Sequence, residues 1–172
     1  LDAILFIFDS LALSLTMLRL DTGEVVRTFR PGSGAGPFAS SVFTATDIPA
    51  PITGQPKAFP ELSGAVADRI FVGDRDGRMW RVVVSSQDPS DWTMQVFHHA
   101  FFDGDFASSQ PIYFPPVLSV NDEGLVTVAY ATGDQEGTGT ENRVVSLTEE
   151  VQNNEFITKV NWVHTLSDGE RG

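Results

Sequence analysis

Asp68 to Val84, "DRIFVGDRDGRMWRVVV", is the stretch that decides the fold. Two apolar runs, Asp68–Gly73 and Arg78–Val84, flank the turn Gly73-Asp74-Arg75-Asp76-Gly77. Asp can bond its own backbone and Gly tolerates positive φ, so these residues suit a chain reversal. The segment reads as a β-hairpin.

Outward from the hairpin, short β-prone runs continue in both directions. Ala3–Phe8 is apolar and reads as a buried strand, because Asp9, Ser10, Arg19 and Asp21 rule out a membrane span. Leu15–Leu20 and Glu24–Phe29 flank the turn Asp21-Thr22-Gly23 and complete a meander, although the leucines of Leu11–Leu18 also fit a helix. Pro31–Gly36 is loop. Pro37–Pro60, with Pro49, Pro51, Pro56 and Pro60, admits only short strands such as Ser41–Thr44. Glu61–Ala67 fits one helical turn. Toward the C-terminus the expected strands are Trp92–His98, Ile112–Val120, Leu125–Ala131, Arg143–Leu147 and Phe156–Thr165. Asn121–Gly124 is a turn, Gly133–Thr140 an acidic Gly-rich loop, and 166–172 a polar tail.

With so few helices available to cover a parallel sheet, an α/β fold is excluded and the chain is all-β. Sandwich, barrel and propeller remain. Three segments repeat a strand–Gly turn–strand pattern: "LTMLRLDTGEV", "RIFVGDRDGRMWRV" and "LVTVAYATGDQEGTGTENRVVSL". Long irregular stretches separate them, as between successive propeller blades.

Composition narrows the partners. The chain has 172 residues and a net charge of -12. Nucleic acid and anionic membrane surfaces are therefore poor partners. No Lys or Arg lies between Val82 and Asn142, while Asp88, Asp91, Asp103, Asp105, Asp122, Glu123, Asp134, Glu136 and Glu141 do. Such a field solubilises a surface and favours cations such as calcium. Cysteine is absent, which excludes disulfides and thiolate zinc sites. The chain begins at Leu1 without a basic n-region, so it reads as a fragment or a processed product.

Chemical sites are few. Trp80 reads as an aromatic wedge between neighbouring blades, with ligand stacking as the alternative. Asp74 and Asp76 read as turn residues, with a cation site as the alternative. His98 and His99 are adjacent, so they face opposite sides of a strand. Either one could join Asp103 and Asp105, the candidate metal ligands of the next loop. His164 has no motif around it. No nucleophile elbow, P-loop or dinucleotide fingerprint is present. Catalytic residues are not expected, and the chain reads as non-enzymatic.

"ADRIFVGDRDGRMWRVVVSS" resembles a blade of the PilC/PilY-type β-propeller domain of type IV pilus biogenesis and tip proteins. The matching positions are Gly73, Asp74, Gly77, Met79, Trp80 and Arg81. "QPIYFPPVLSV" with "LVTVAYATGD" is similar to the following unit, and "LTMLRLDTGEVVRTF" to a blade's outer strands. Quinoprotein dehydrogenases share the Asp-x-x-Gly-x-x-Trp feature. The resemblance implies quinoprotein-like blades over 1–172. At about 40–50 residues each, the chain holds about three to four, an incomplete ring or a fragment of a larger propeller. It also implies pilus assembly, adhesion or twitching motility. The implied location is the bacterial cell surface, pilus tip or periplasm. The implied partners are pilus tip or minor pilin subunits, or other segments of a larger parent protein. A quinoprotein-type dehydrogenase or a carbohydrate-binding propeller is the alternative. The calcium loop often present in such proteins would place Pro60, Leu62 and Gly64 at oxygen-ligand positions before Asp68. Calcium needs about six to eight oxygens, so this loop is degenerate for calcium and no cofactor is carried over.

Overall fold

The computed structural model describes residues 4–9, 13–30, 48–61, 66–102, 109–133, 141–153 and 155–166. These form an all-β structure of three separate antiparallel sheets. The first contains β1 (Ile4–Asp9), β2 (Ser14–Arg19) and β3 (Val25–Phe29). The second contains β4 (Lys57–Phe59), β5 (Arg69–Gly73), β6 (Arg78–Val83) and β7 (Thr93–His99). The third contains β8 (Val117–Val120), β9 (Val126–Ala131), β10 (Asn142–Gln152) and β11 (Glu155–Leu166). Within each sheet the strands lie in chain order, so each is a simple meander.

The expected hairpin is β5–β6, with Gly73 opposite Met79 and Arg69 opposite Val83. It sits in the middle of the molecule, and its residue alternation shows why. Ile70, Val72, Trp80, Val82 and Val84 join Met94 and Val96 in one core, together with Leu15, Met17 and Phe29 of the first sheet. Phe71, Met79 and Phe97 point the other way, into a second core with Val126, Val128, Tyr130, Val145 and Leu147 of the third sheet. Side chains alternate across a strand, so a sheet with apolar residues at both parities must be covered on both faces. Fully burying each such side chain contributes about 1.5–3 kcal/mol.

The second and third sheets meet like against like. β4 lies beside β8, and β7 beside β11. Both fourth strands carry a bulge. In β7, Met79 faces His98 and Trp80 faces Val96, leaving Phe97 as the extra residue. In β11, Ser146 faces Trp162 and Leu147 faces Val160, leaving Asn161 extra. A bulge is a place where a strand bends and twists more strongly. The three repeated segments of the sequence are the β2–β3, β5–β6 and β9–β10 hairpins, which join the second and third strands of each sheet.

Several expectations change. The Leu11–Leu18 helix gives way to strand β2, whose Leu15 and Met17 alternate into the core. The strand expected from Ile112 to Val120 starts only at Val117, because Ile112 packs on the β5–β6 turn and two prolines follow. The strand expected over Arg143–Leu147 runs on to Gln152. Lys57–Phe59 forms a strand among the prolines. Glu61, Val66 and Ala67 are not helical. Ser41–Thr44, Leu62, Gly64, the loop 134–140 and the tail from residue 167 lie outside the described residues.

Candidate functional site

Four residues singled out in the sequence, Gly73, Asp74, Gly77 and Trp80, come together at one end of the second sheet. Asp74 is fully buried. Its Oδ1 accepts the backbone N–H groups of Asp76 and Arg78, both at 2.9 Å. Its Oδ2 accepts Trp80 Nε1–H at 2.9 Å and the Arg78 guanidinium at 3.3 Å. The Asp-x-x-Gly-x-x-Trp spacing causes this. Gly77, at φ +81°, closes the reversal, and three residues later the strand returns Trp80 alongside Asp74. The chain around Asp74 is equally engaged. Its N–H donates to Arg78 O, its carbonyl accepts Ile112 N–H, and Arg75 N–H reaches Pro51 O.

This arrangement decides between the two readings of Asp74. A carboxylate oxygen has about two acceptor positions, and here both oxygens face N–H donors. A cation would have to displace them. Asp74 is therefore a buried turn anchor. Burial is the largest influence on its carboxyl and pushes the pKa up to about 6, against the lowering pull of Arg78 and Trp80. Trp80 is fully buried in the core between the first two sheets, with Leu15, Met17 and Phe29.

The glycines let other segments close over the turn. A Cβ on Gly73 would lie 2.4 Å from Ile112 Cβ, and one on Gly77 would lie 2.9 Å from Gln110 O. The segment before β8 therefore covers the hairpin tip. At the same end, His98 and His99 do face opposite ways. His99 Nε2–H donates to Asp76 O at 2.9 Å, which fixes its tautomer. Burial, the leading cause, lowers its pKa, so the ring is neutral at pH 7. His98 Nδ1 shares a 2.8 Å hydrogen bond with Tyr130 OH, joining the second sheet to the third. Burial holds the Tyr130 phenol well above its usual range. Arg143 donates to Ala100 O and to Glu141 Oε1, the latter at 2.8 Å, and lies over the Phe101 ring. Phe102, Tyr113 and Phe114 stand exposed along this rim.

Asp103 and Asp105 lie outside the described residues. Among the described residues, no group of three or more His, Asp or Glu side chains could hold a metal ion. His164 sits against Trp162, ring centroids 5.2 Å apart. No helix among the described residues is long and apolar enough to cross a membrane.

Sequence reasoning missed one buried ionic cluster. Glu149 of β10 accepts from Arg69 of β5 and Arg81 of β6. Asp68 holds the other side of Arg69 at 2.9 Å. Arg81 and Glu149 are each 2% exposed. The only local hint was a charged residue, Arg81, inside an apolar run. Compared with family models, curated proteins and solved structures, the chain has no match.

Proposed function

We propose that the chain is a non-enzymatic β-propeller module of a type IV pilus assembly or tip protein. The observation that supports the propeller reading is the stacking of two sequential four-stranded meanders, with first strand beside first and fourth beside fourth. Face-to-face repetition of such units is how propellers are built. The pilus role rests on the resemblance of the Asp68–Val84 hairpin to PilC/PilY-type blades. In this reading the sheets are a rigid scaffold, and the loop end bearing Phe102, Tyr113 and Phe114 is the contact surface for pilin-like subunits.

Deleting the coding segment in its host tests the role. Loss of surface pili or of twitching motility is expected. Normal pilus number and normal motility would sink the reading. A quinoprotein dehydrogenase is the second reading, favoured by the Asp74-x-x-Gly77-x-x-Trp80 hairpin. Dye reduction by the purified protein with added pyrroloquinoline quinone and alcohol or sugar substrates separates the two. Turnover there would replace the scaffold reading.

A further inference from the structure

The third sheet is not uniform along its length. β9 pairs with β10 only over Val144–Thr148. Beyond that point, Glu149–Gln152 pairs with Glu155–Thr158 alone, as a two-stranded ribbon. An isolated two-stranded ribbon is marginally stable in water. Here Val151 is 59% exposed and Phe156 is 38% exposed, so the ribbon buries little apolar surface of its own.

What holds the ribbon is polar and points at the second sheet. Glu149 bonds Arg69 and Arg81 through separate oxygens. The Arg81 guanidinium also lies 4.1 Å from the centre of the Phe156 ring. Thr158 Oγ1 donates at 2.6 Å to the carbonyl of Phe97, the bulge residue of β7. β7 is an edge strand of its sheet. Edge strands offer unpaired backbone groups to other chains and are commonly covered. The ribbon thus bridges from its own sheet onto a neighbouring edge, fastened at Glu149, Phe156 and Thr158.

We infer that the ribbon of Glu149–Gln152 and Glu155–Thr158 is a strap, latched by Arg69–Glu149–Arg81, which opens as a unit when the Glu149 carboxylate lets go of the two arginines. Closed, it caps the β7 bulge. Open, it uncovers that edge together with two arginines that then lack their shared carboxylate. Charge-assisted bonds to a buried carboxylate are strong, and their loss falls on the element that has little else to hold it.

Hydrogen exchange followed by mass spectrometry on the whole chain tests the strap. In Glu149→Gln, amides of Glu149–Gln152 and Glu155–Thr158 should exchange about tenfold faster or more. Those of Val126–Ala131 and Arg69–Gly73 should keep their wild-type rates. Thr158→Val leaves the latch intact and should accelerate the same segment by about threefold. Wild-type exchange in the ribbon of either variant would overturn the inference. So would equal acceleration across the chain, or failure of Glu149→Gln to fold, because the cluster would then belong to one cooperative core.

Discussion

Two turns in this molecule share one backbone and differ in everything around it. Asp74–Arg78 and Asn121–Leu125 make the same bonds. In each, the first residue's N–H donates to the carbonyl four residues on, and its own carbonyl accepts from the glycine N–H. In each, the side-chain Oδ1 accepts two backbone N–H groups. Gly77 and Gly124 both sit at φ +81°. Yet Asp74 is fully buried beneath Gln110 and Ile112, while the Asn121 turn is open. The second oxygen makes the difference. Asp74 Oδ2 binds Trp80 and Arg78, and so ties the turn to the core. A local sequence signal can fix a turn, but only its surroundings decide whether the fold depends on it.

The largest separation between the turns is expected from removing the first side chain. Asp74→Ala strips four hydrogen bonds from a fully buried position, two backbone N–H groups, Trp80 Nε1–H and Arg78 losing that acceptor, while Arg78 keeps Asp76 at 2.9 Å. A loss of about 3–5 kcal/mol is expected, the range for breaking a buried charged partner. Asn121→Ala removes two bonds in a partly exposed turn and should cost about 1 kcal/mol. Urea denaturation of both variants checks this. Equal losses would erase the distinction.

pH acts on one turn and not the other. Folding raises the Asp74 pKa from 3.8 to about 6, chiefly through burial. A carboxyl whose pKa rises on folding stabilises most below its unfolded pKa, and that contribution fades as pH rises through the folded value. Wild-type stability measured against Asp74→Asn should therefore fall between pH 4 and pH 7, by at most ~3 kcal/mol. Asn121→Ala should show no such slope against wild type. A difference that grows with pH would mean the donors around Asp74 outweigh its burial.

Both turns were legible because their signals are local. Gly73-Asp74-Arg75-Asp76-Gly77 and Asn121-Asp122-Glu123-Gly124 carry the required residues within one reversal. The meanders followed from the alternation around them. What lay hidden depended on distant partners. Thr148-Glu149-Glu150 ended the apolar pattern and so curtailed the reading of β10. Glu149 is nevertheless buried, because Arg69 and Arg81 reach it from 80 and 68 residues away. Ile112 looked like strand because it is apolar, but it fills the space that Gly73 leaves open.

The glycines give a smaller and cleaner contrast. At Gly124 an added Cβ meets nothing within 4 Å, so Gly124→Ala should cost only the left-handed backbone penalty, about 1–2 kcal/mol. At Gly77 the same Cβ meets Gln110 O and the Phe101 ring. Gly77→Ala should exceed Gly124→Ala by about 1–2 kcal/mol. A calorimetric comparison of midpoints settles the order. If the two match, the segment over Gly77 yields freely and does not clamp the turn.

The finest contrast lies three residues past each glycine, at Trp80 and Thr127. Thr127 Oγ1 lies 3.5 Å from Thr148 Oγ1, across the sheet on β10. Thr127→Val should cost about 0.5 kcal/mol. Trp80→Phe keeps most of the ring's bulk but removes one donor from Asp74, at about 1–2 kcal/mol at pH 7. Its pH dependence distinguishes a lost bond from lost packing. The Trp80 bond helps hold the Asp74 pKa down, so in Trp80→Phe that pKa should rise above 6 and the deficit should shrink as pH falls toward 4. A deficit constant with pH would assign the cost to packing alone and would detach Trp80 from the turn.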